Sequence, residues 1–205
     1  MGLTVEQLRE HLDALAARDP QFAAALELAG YPEPRGRGRG YVTLLRTIVG
    51  QQISFKAADA VWAKVAAVVG DIENPAAMVG QSDELLRSAG LSRQKIGYAR
   101  SLAELCASGT LDFNALPQDD EEAIALLMQV KGIGRWSAEV YLLFAEGRPD
   151  IWPAGDLAVQ ESVRRIMGHD ERPAEKATRE LGENWRPYRG AAAIFAWHHY
   201  KIPVI

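Results

Sequence analysis

Fourteen residues near the middle of the chain, Leu126-Leu-Met-Gln-Val-Lys-Gly-Ile-Gly-Arg-Trp-Ser-Ala-Glu139, have the make-up of an anion site. Ile124, Leu127 and Met128 mark one helix face, and Trp136, Val140, Leu143 and Phe144 mark a second. Between them Val130-Lys-Gly-Ile-Gly134 reads as a tight turn. Glycine at 132 and 134 opens backbone angles closed to other residues. It also clears side chains from the N–H groups that start the second helix. Those groups and the helix dipole make a place for a phosphate. A dinucleotide fingerprint is excluded, because Ser137 stands where the third glycine belongs and a helix precedes the turn. The plain alternative is a hairpin of helices with glycine as a cap. Asp156 stands 22 residues after Gly134, just past Gly147-Arg-Pro-Asp-Ile-Trp-Pro-Ala-Gly155. Its carboxylate suits an N-cap for a helix from Leu157.

Other chemistries are poorly supplied. Cys106 is the single cysteine of 205 residues, so this chain alone holds no intrachain disulfide, cysteine zinc site or iron–sulfur cluster. The four histidines, His11, His169, His198 and His199, show no HExxH-like spacing. His198 and His199 fall at the end of the last helix, without catalytic duty. No apolar run reaches the ~18 residues of a membrane span. The opening MGLTVEQLREHL is charged and amphipathic, unlike a signal peptide. A cytoplasmic protein without its own first-row metal is expected.

The elements that position these residues read as helical. Val5, Leu8, Leu12 and Leu15 follow helical spacing, as do Leu44, Leu45, Ile48 and Val49, then Val61, Val65, Val68 and Val69. Ser82 followed by Asp83-Glu84 marks a helix start, and Ser92 starts a longer helix through Cys106. No stretch alternates between hairpin turns, so the fold class is all-α. The net charge of −4 sits entirely in residues 1–34. Residues 35–56 hold Arg35, Arg37, Arg39, Arg46 and Lys56 and no acid, and 185–205 hold Arg186, Arg189 and Lys201 and no acid. The acidic balance alone argues against a polyanion partner, whereas these two segments are local basic patches.

The hairpin, the Gly/Pro-rich loop and Asp156, in that order, resemble the helix-hairpin-helix superfamily of DNA base-excision glycosylases. Ile48-Val-Gly-Gln-Gln-Ile-Ser54 is similar to the segment that family members push into the minor groove. Trp185-Arg-Pro-Tyr-Arg189, with the helix through Trp197, is similar to the family's last helix. The likeness is to the 3-methyladenine, type II, alkylated-base branch. It implies two helical lobes around a DNA-binding cleft, one spanning 41–148 with the hairpin, the other combining 1–40 with 149–205 and carrying the catalytic Asp156.

The resemblance also implies roles. Asp156 stabilises the oxocarbenium-like sugar and prepares the water. Bifunctional members carry a Schiff-base lysine where this chain has Trp136, so a monofunctional glycosylase that leaves the abasic site uncut is expected. Trp136 and Trp197 are the base-pocket aromatics, suited to a cationic base. Some members place another aromatic one turn later. Here that residue is Val140, with Tyr141 beside it. Gln52, with Ile53 next to it, fills the gap left by the flipped base. Gly132, Gly134, Lys131 and Arg135 belong to the phosphate-binding hairpin, and Arg35, Arg37, Arg39, Lys56, Arg186 and Arg189 are weaker phosphate candidates. The carbonyls of Met128, Val130 and Ile133 would take a structural monovalent cation. No cofactor is required and no iron–sulfur cluster is expected. The partner is duplex DNA with alkylated bases of the 3-methyladenine or 7-methylguanine type, met by a nucleoid-associated monomer away from membranes. A glycosylase for oxidised or mismatched bases and a non-catalytic DNA-binding module are the alternatives.

Overall fold

The computed structural model describes residues 2–202, and every regular element among them is helical. In order, these are α1 (Val5–Ala16), α2 (Pro20–Ala29), α3 (Tyr41–Gly50), α4 (Phe55–Val69), α5 (Pro75–Val79), α6 (Asp83–Ser88), α7 (Arg93–Ala107), α8 (Asp120–Leu127), α9 (Arg135–Tyr141), α10 (Leu157–Met167), α11 (Glu175–Gly182) and α12 (Arg189–His199). Most starts are written in local chemistry. Thr4 and Gln7 form a capping box on α1. Asp19, Ser54, Asn74, Ser82, Ser92, Asp119 and Asp156 each accept a backbone N–H from the first turn of the next helix. Each such cap stabilises its helix by about 1 kcal/mol.

The chain divides into two compact units, 1–37 with 139–205, and 38–138. In the first, α1 and α2 pack on α10 and α12. Its core holds Leu8, Leu12, Leu15, Phe22, Leu142, Leu143, Trp152, Trp185 and Phe195. Helix α12 is buried from Arg189 to Ala196, which its small residues permit. A Cβ on Gly190 would come within 2.7 Å of the Pro149 carbonyl oxygen, so only glycine lets the helix start there. In the second unit, α7 packs against α3, α5 and α6, over a core of Leu44, Leu45, Ile48, Met78, Leu86 and Leu102.

The boundaries differ from the expected 41 and 148. The second falls inside α9, and the residues beyond Ala138 group with the first unit. Glu139, 2% exposed, pairs with Arg179 at 3.1 Å. The Tyr141 hydroxyl donates to Glu146, and the Arg37 amide donates to the Phe144 carbonyl.

His199 is 6% exposed and lies 2.9 Å from the Ser162 hydroxyl, through its Nδ1. Burial, reinforced by the charges of Arg165 and His198, holds its imidazole below the ordinary histidine value. His11 is lowered by burial, against the opposing charge of Glu10. Both groups fold as neutral rings. Their contribution is complete above the unfolded value of about 6.5 and is lost as pH falls through the lower folded value. Thermal unfolding followed by circular dichroism should show a falling midpoint below about pH 6.5. The fall should be shallower in His199→Asn.

Candidate active site

The hairpin joins α8 to α9. The Ile133 amide donates to the Val130 carbonyl at 3.0 Å, and the Ala138 amide to the Gly134 carbonyl at 3.1 Å. Gly132 lies in the left-handed region at φ +81, and a Cβ there would sit 2.2 Å from the Tyr98 ring. Both facts demand glycine. Gly134 is a correction to the expected turn. It is absent from the left-handed residues and nothing lies within 4 Å of its would-be Cβ. Its part is open space in front of the first turn of α9. Lys131 is exposed, with its amide bonded to the Ser101 hydroxyl at 3.1 Å, and Arg135 pairs with Glu121.

The segment between α3 and α4 is tied to that hairpin. The side-chain amide of Gln51 donates to the Gly132 carbonyl at 2.9 Å. Lys95 of α7 donates to the Val49 carbonyl at 2.7 Å, and burial pushes its ammonium below the ordinary lysine value. Gln52 is exposed and left-handed at φ +56, and Ile53 is 39% exposed. Strained non-glycine backbone of this sort clusters at functional sites. One face of α7 thus serves both segments, with Lys95 under the loop and Tyr98 and Ser101 under the hairpin. Gln51 belongs to the segment likened to a minor-groove insert, whereas Lys95, Tyr98 and Ser101 did not stand out in the sequence. Polar residues on a helix look alike until their distant partners are known.

In the other unit, Asp156 caps α10. Its Oδ1 accepts from Ala158 at 2.9 Å and Val159 at 3.1 Å, and neither bond uses Oδ2. The loop before it is bolted down. Trp152, 2% exposed, donates its indole N–H to the Thr178 carbonyl, and the buried Gln160 amide donates to the Ala154 carbonyl at 2.8 Å. Arg189 reaches Asp150 at 2.9 Å and Glu183 at 2.8 Å, while Arg186 reaches the same two carboxylates. These arginines work on carboxylates, and Arg189 is buried, so its candidacy for phosphate is withdrawn.

The base-pocket candidates differ in exposure. Trp136 is 47% exposed and Val140 is half-buried, whereas Tyr141 is 4% exposed with its hydroxyl on Glu146. Trp197 is half-buried, with its ring 5.5 Å from that of Phe144. Trp136 and Phe144 do not continue one regular face, because α9 passes into a π-turn over Leu142–Glu146. Such a turn inserts a residue and rotates the side chains beyond it. Hairpin, loop and Trp136 lie in the 38–138 unit, and Asp156, Val140, Tyr141 and Trp197 lie in the other.

Among the described residues no three His, Cys, Asp or Glu converge on a metal position, and no helix is long and apolar enough to cross a membrane. The hairpin carbonyls are different. None of the hairpin's backbone bonds ends on Met128 or Ile133, and the Val130 carbonyl takes a single N–H. Neutral oxygen donors of this kind fit a hard monovalent cation.

The two glycines separate by stability. Gly132→Ala should lose about 2–4 kcal/mol, combining left-handed strain and a clash with Tyr98. Gly134→Ala should stay within about 0.5 kcal/mol of the parent. Urea unfolding of both variants checks the pair.

Comparison with known proteins agrees with this geometry. The sequence pattern of the HhH-GPD superfamily of base excision DNA repair proteins matches residues 45–187. The chain is 29% identical to DNA-3-methyladenine glycosylase 1 of Schizosaccharomyces pombe over 216 residues, covering 98% of this chain and 95% of the relative. A solved DNA-3-methyladenine glycosidase from Bacillus halodurans superposes with a TM-score of 0.86 at 33% identity, over 93% of this chain and 89% of that one. A Schizosaccharomyces pombe 3-methyladenine DNA glycosylase in complex with abasic DNA superposes with a TM-score of 0.76 at 29% identity, over 92% and 95%. With the all-helical architecture and its hairpin, these matches establish that the chain belongs to the HhH-GPD superfamily of base excision DNA repair proteins.

Proposed function

We propose that the chain is a monofunctional DNA glycosylase that flips and hydrolytically releases alkylated bases, of the 3-methyladenine and 7-methylguanine type, from duplex DNA. The observation that carries this reading is Asp156, held at the start of α10 by two backbone N–H groups. It stands in a chain that matches 3-methyladenine glycosylases over nearly its whole length.

Cleavage of an N-glycosidic bond builds positive charge on the sugar. The Asp156 carboxylate stabilises that charge and orients or deprotonates the attacking water. An alkylated purine is already cationic and leaves without a strong general acid. The indoles of Trp136 and Trp197 favour that cation over a neutral base by about 0.5–2 kcal/mol per contact. Val140 and Tyr141 complete the pocket and leave it less stacked than in members with a second aromatic. Gln52, with Ile53, fills the gap in the duplex, by hydrogen bonding more than stacking. Gly132, Gly134, Lys131 and Arg135 hold a backbone phosphate. A monovalent cation on the carbonyls of Met128, Val130 and Ile133 would add positive charge at that phosphate. No further cofactor is needed, and the enzyme works as a monomer. Trp136 has no amine, so no Schiff base forms and the strand stays intact.

The test is release from duplex DNA carrying radiolabelled methyl groups. Chromatography should identify 3-methyladenine or 7-methylguanine, with strand breaks only after mild alkali and no borohydride-trapped adduct. Breaks before alkali, or no release by folded enzyme, would overturn the reading. Trp136→Ala should lower the preference for a cationic over a neutral base by about 2- to 30-fold, read as a ratio of kcat/KM values.

A further inference from the structure

Phe55 opens α4 directly after the loop that carries Gln52, and it is 83% exposed. It is the most exposed of the large apolar side chains among the described residues. Isolated exposed apolar residues are ordinary, but a nearly bare phenyl ring is the costliest kind to leave in water. Its surroundings are built to hold it there. Ser54 caps the helix, through its hydroxyl and the Ala57 amide. Gly50 closes against Ala58, so the end of α3 rests on the first turns of α4. Gln51 ties the loop to the Gly132 carbonyl of the hairpin, and Lys95 holds Val49. The neighbouring Lys56 is exposed, and Asp59, one turn further along α4, is engaged by Arg46 at 2.6 Å. An apolar, flat side chain beside an exposed cation is the chemistry of a surface that meets both stacked bases and phosphates.

We propose that Phe55 is a second DNA-inserting residue. Its ring stacks on a base at the step opened by the flipped nucleotide, while Gln52 fills the vacated position. The division follows from the side chains. An amide replaces lost hydrogen bonds, and a phenyl ring replaces lost stacking. The proposal rests on the reading of the chain as a DNA glycosylase and adds a residue to its DNA contacts.

The experiment uses a duplex with a tetrahydrofuran abasic analogue and 2-aminopurine beside it, bound by wild type, Phe55→Ala and Phe55→Trp. Phe55 is exposed, so the variants should melt like the parent by circular dichroism. Binding of wild type should raise the 2-aminopurine fluorescence. Phe55→Ala should lose that rise and bind about tenfold more weakly, and Phe55→Trp should restore both. Base release by Phe55→Ala from methylated duplex should slow, and less so at a mispaired lesion, where less stacking must be broken. If Phe55→Ala unstacks and binds the duplex like wild type while wild type releases methylated bases, the wedge is wrong and the glycosylase reading stands. If wild type neither binds the duplex nor releases bases, both fall. A concentration-dependent dimer in sedimentation that Phe55→Ala abolishes would make the ring a contact between copies, and would overturn the wedge.

Discussion

Two backbone N–H groups at the start of α10 hold one oxygen of Asp156, and much of the unit around it serves to fix where that helix begins. Helix starts are natural places for a carboxylate, because the dipole and the unsatisfied amides favour negative charge. The same two bonds fix where the carboxylate stands. The preceding loop gains its position from buried bonds rather than from its own conformation. Trp152 is anchored on Thr178, Ala154 on Gln160 and Asp150 on Arg189. Removing one partner of a buried ion pair such as Arg189–Asp150 leaves an uncompensated charge and costs about 3–5 kcal/mol.

The 38–138 unit solves a different problem. Under the proposed function, the hairpin must present a compact turn to a phosphate and the loop must stay extended to enter a duplex. Gly132 answers the first by admitting the Tyr98 ring where a Cβ would stand. The Gln51 amide and the Lys95 ammonium answer the second from behind the loop, leaving Gln52 and Ile53 exposed. Both segments are referenced to α7, so their spacing is set by one helix.

Much of this was legible along the chain. Ser82, Ser92 and Asp156 announce helix starts through bonds that span two or three residues, and local bonds leave local signals. The hairpin showed itself through its two glycines, although only Gly132 needs the left-handed angle. What stayed hidden depends on partners far away in sequence. Gln51 meets Gly132 across 81 residues and Lys95 meets Val49 across 46, with no periodicity to betray either. Arg189 read as a basic-patch residue because its carboxylate partner Asp150 is 39 residues away. The π-turn at Leu142–Glu146 defeated the helical spacing that placed Trp136 and Phe144 on one face. The unit boundary lies inside α9, and the Glu139–Arg179 pair just beyond it is announced by no local pattern.

The central claim is that Asp156 acts through its charge, beyond its service as a cap. Asparagine caps a helix about as well as aspartate, so Asp156→Asn separates the two roles. The decisive measurement is single-turnover base release by this variant from methylated duplex DNA, beside its melting temperature and its affinity for an abasic-site duplex. The account predicts parental melting and binding with release slowed by at least about a hundredfold. Release at the parental rate by a well-folded Asp156→Asn protein would contradict it and leave Asp156 a structural cap alone.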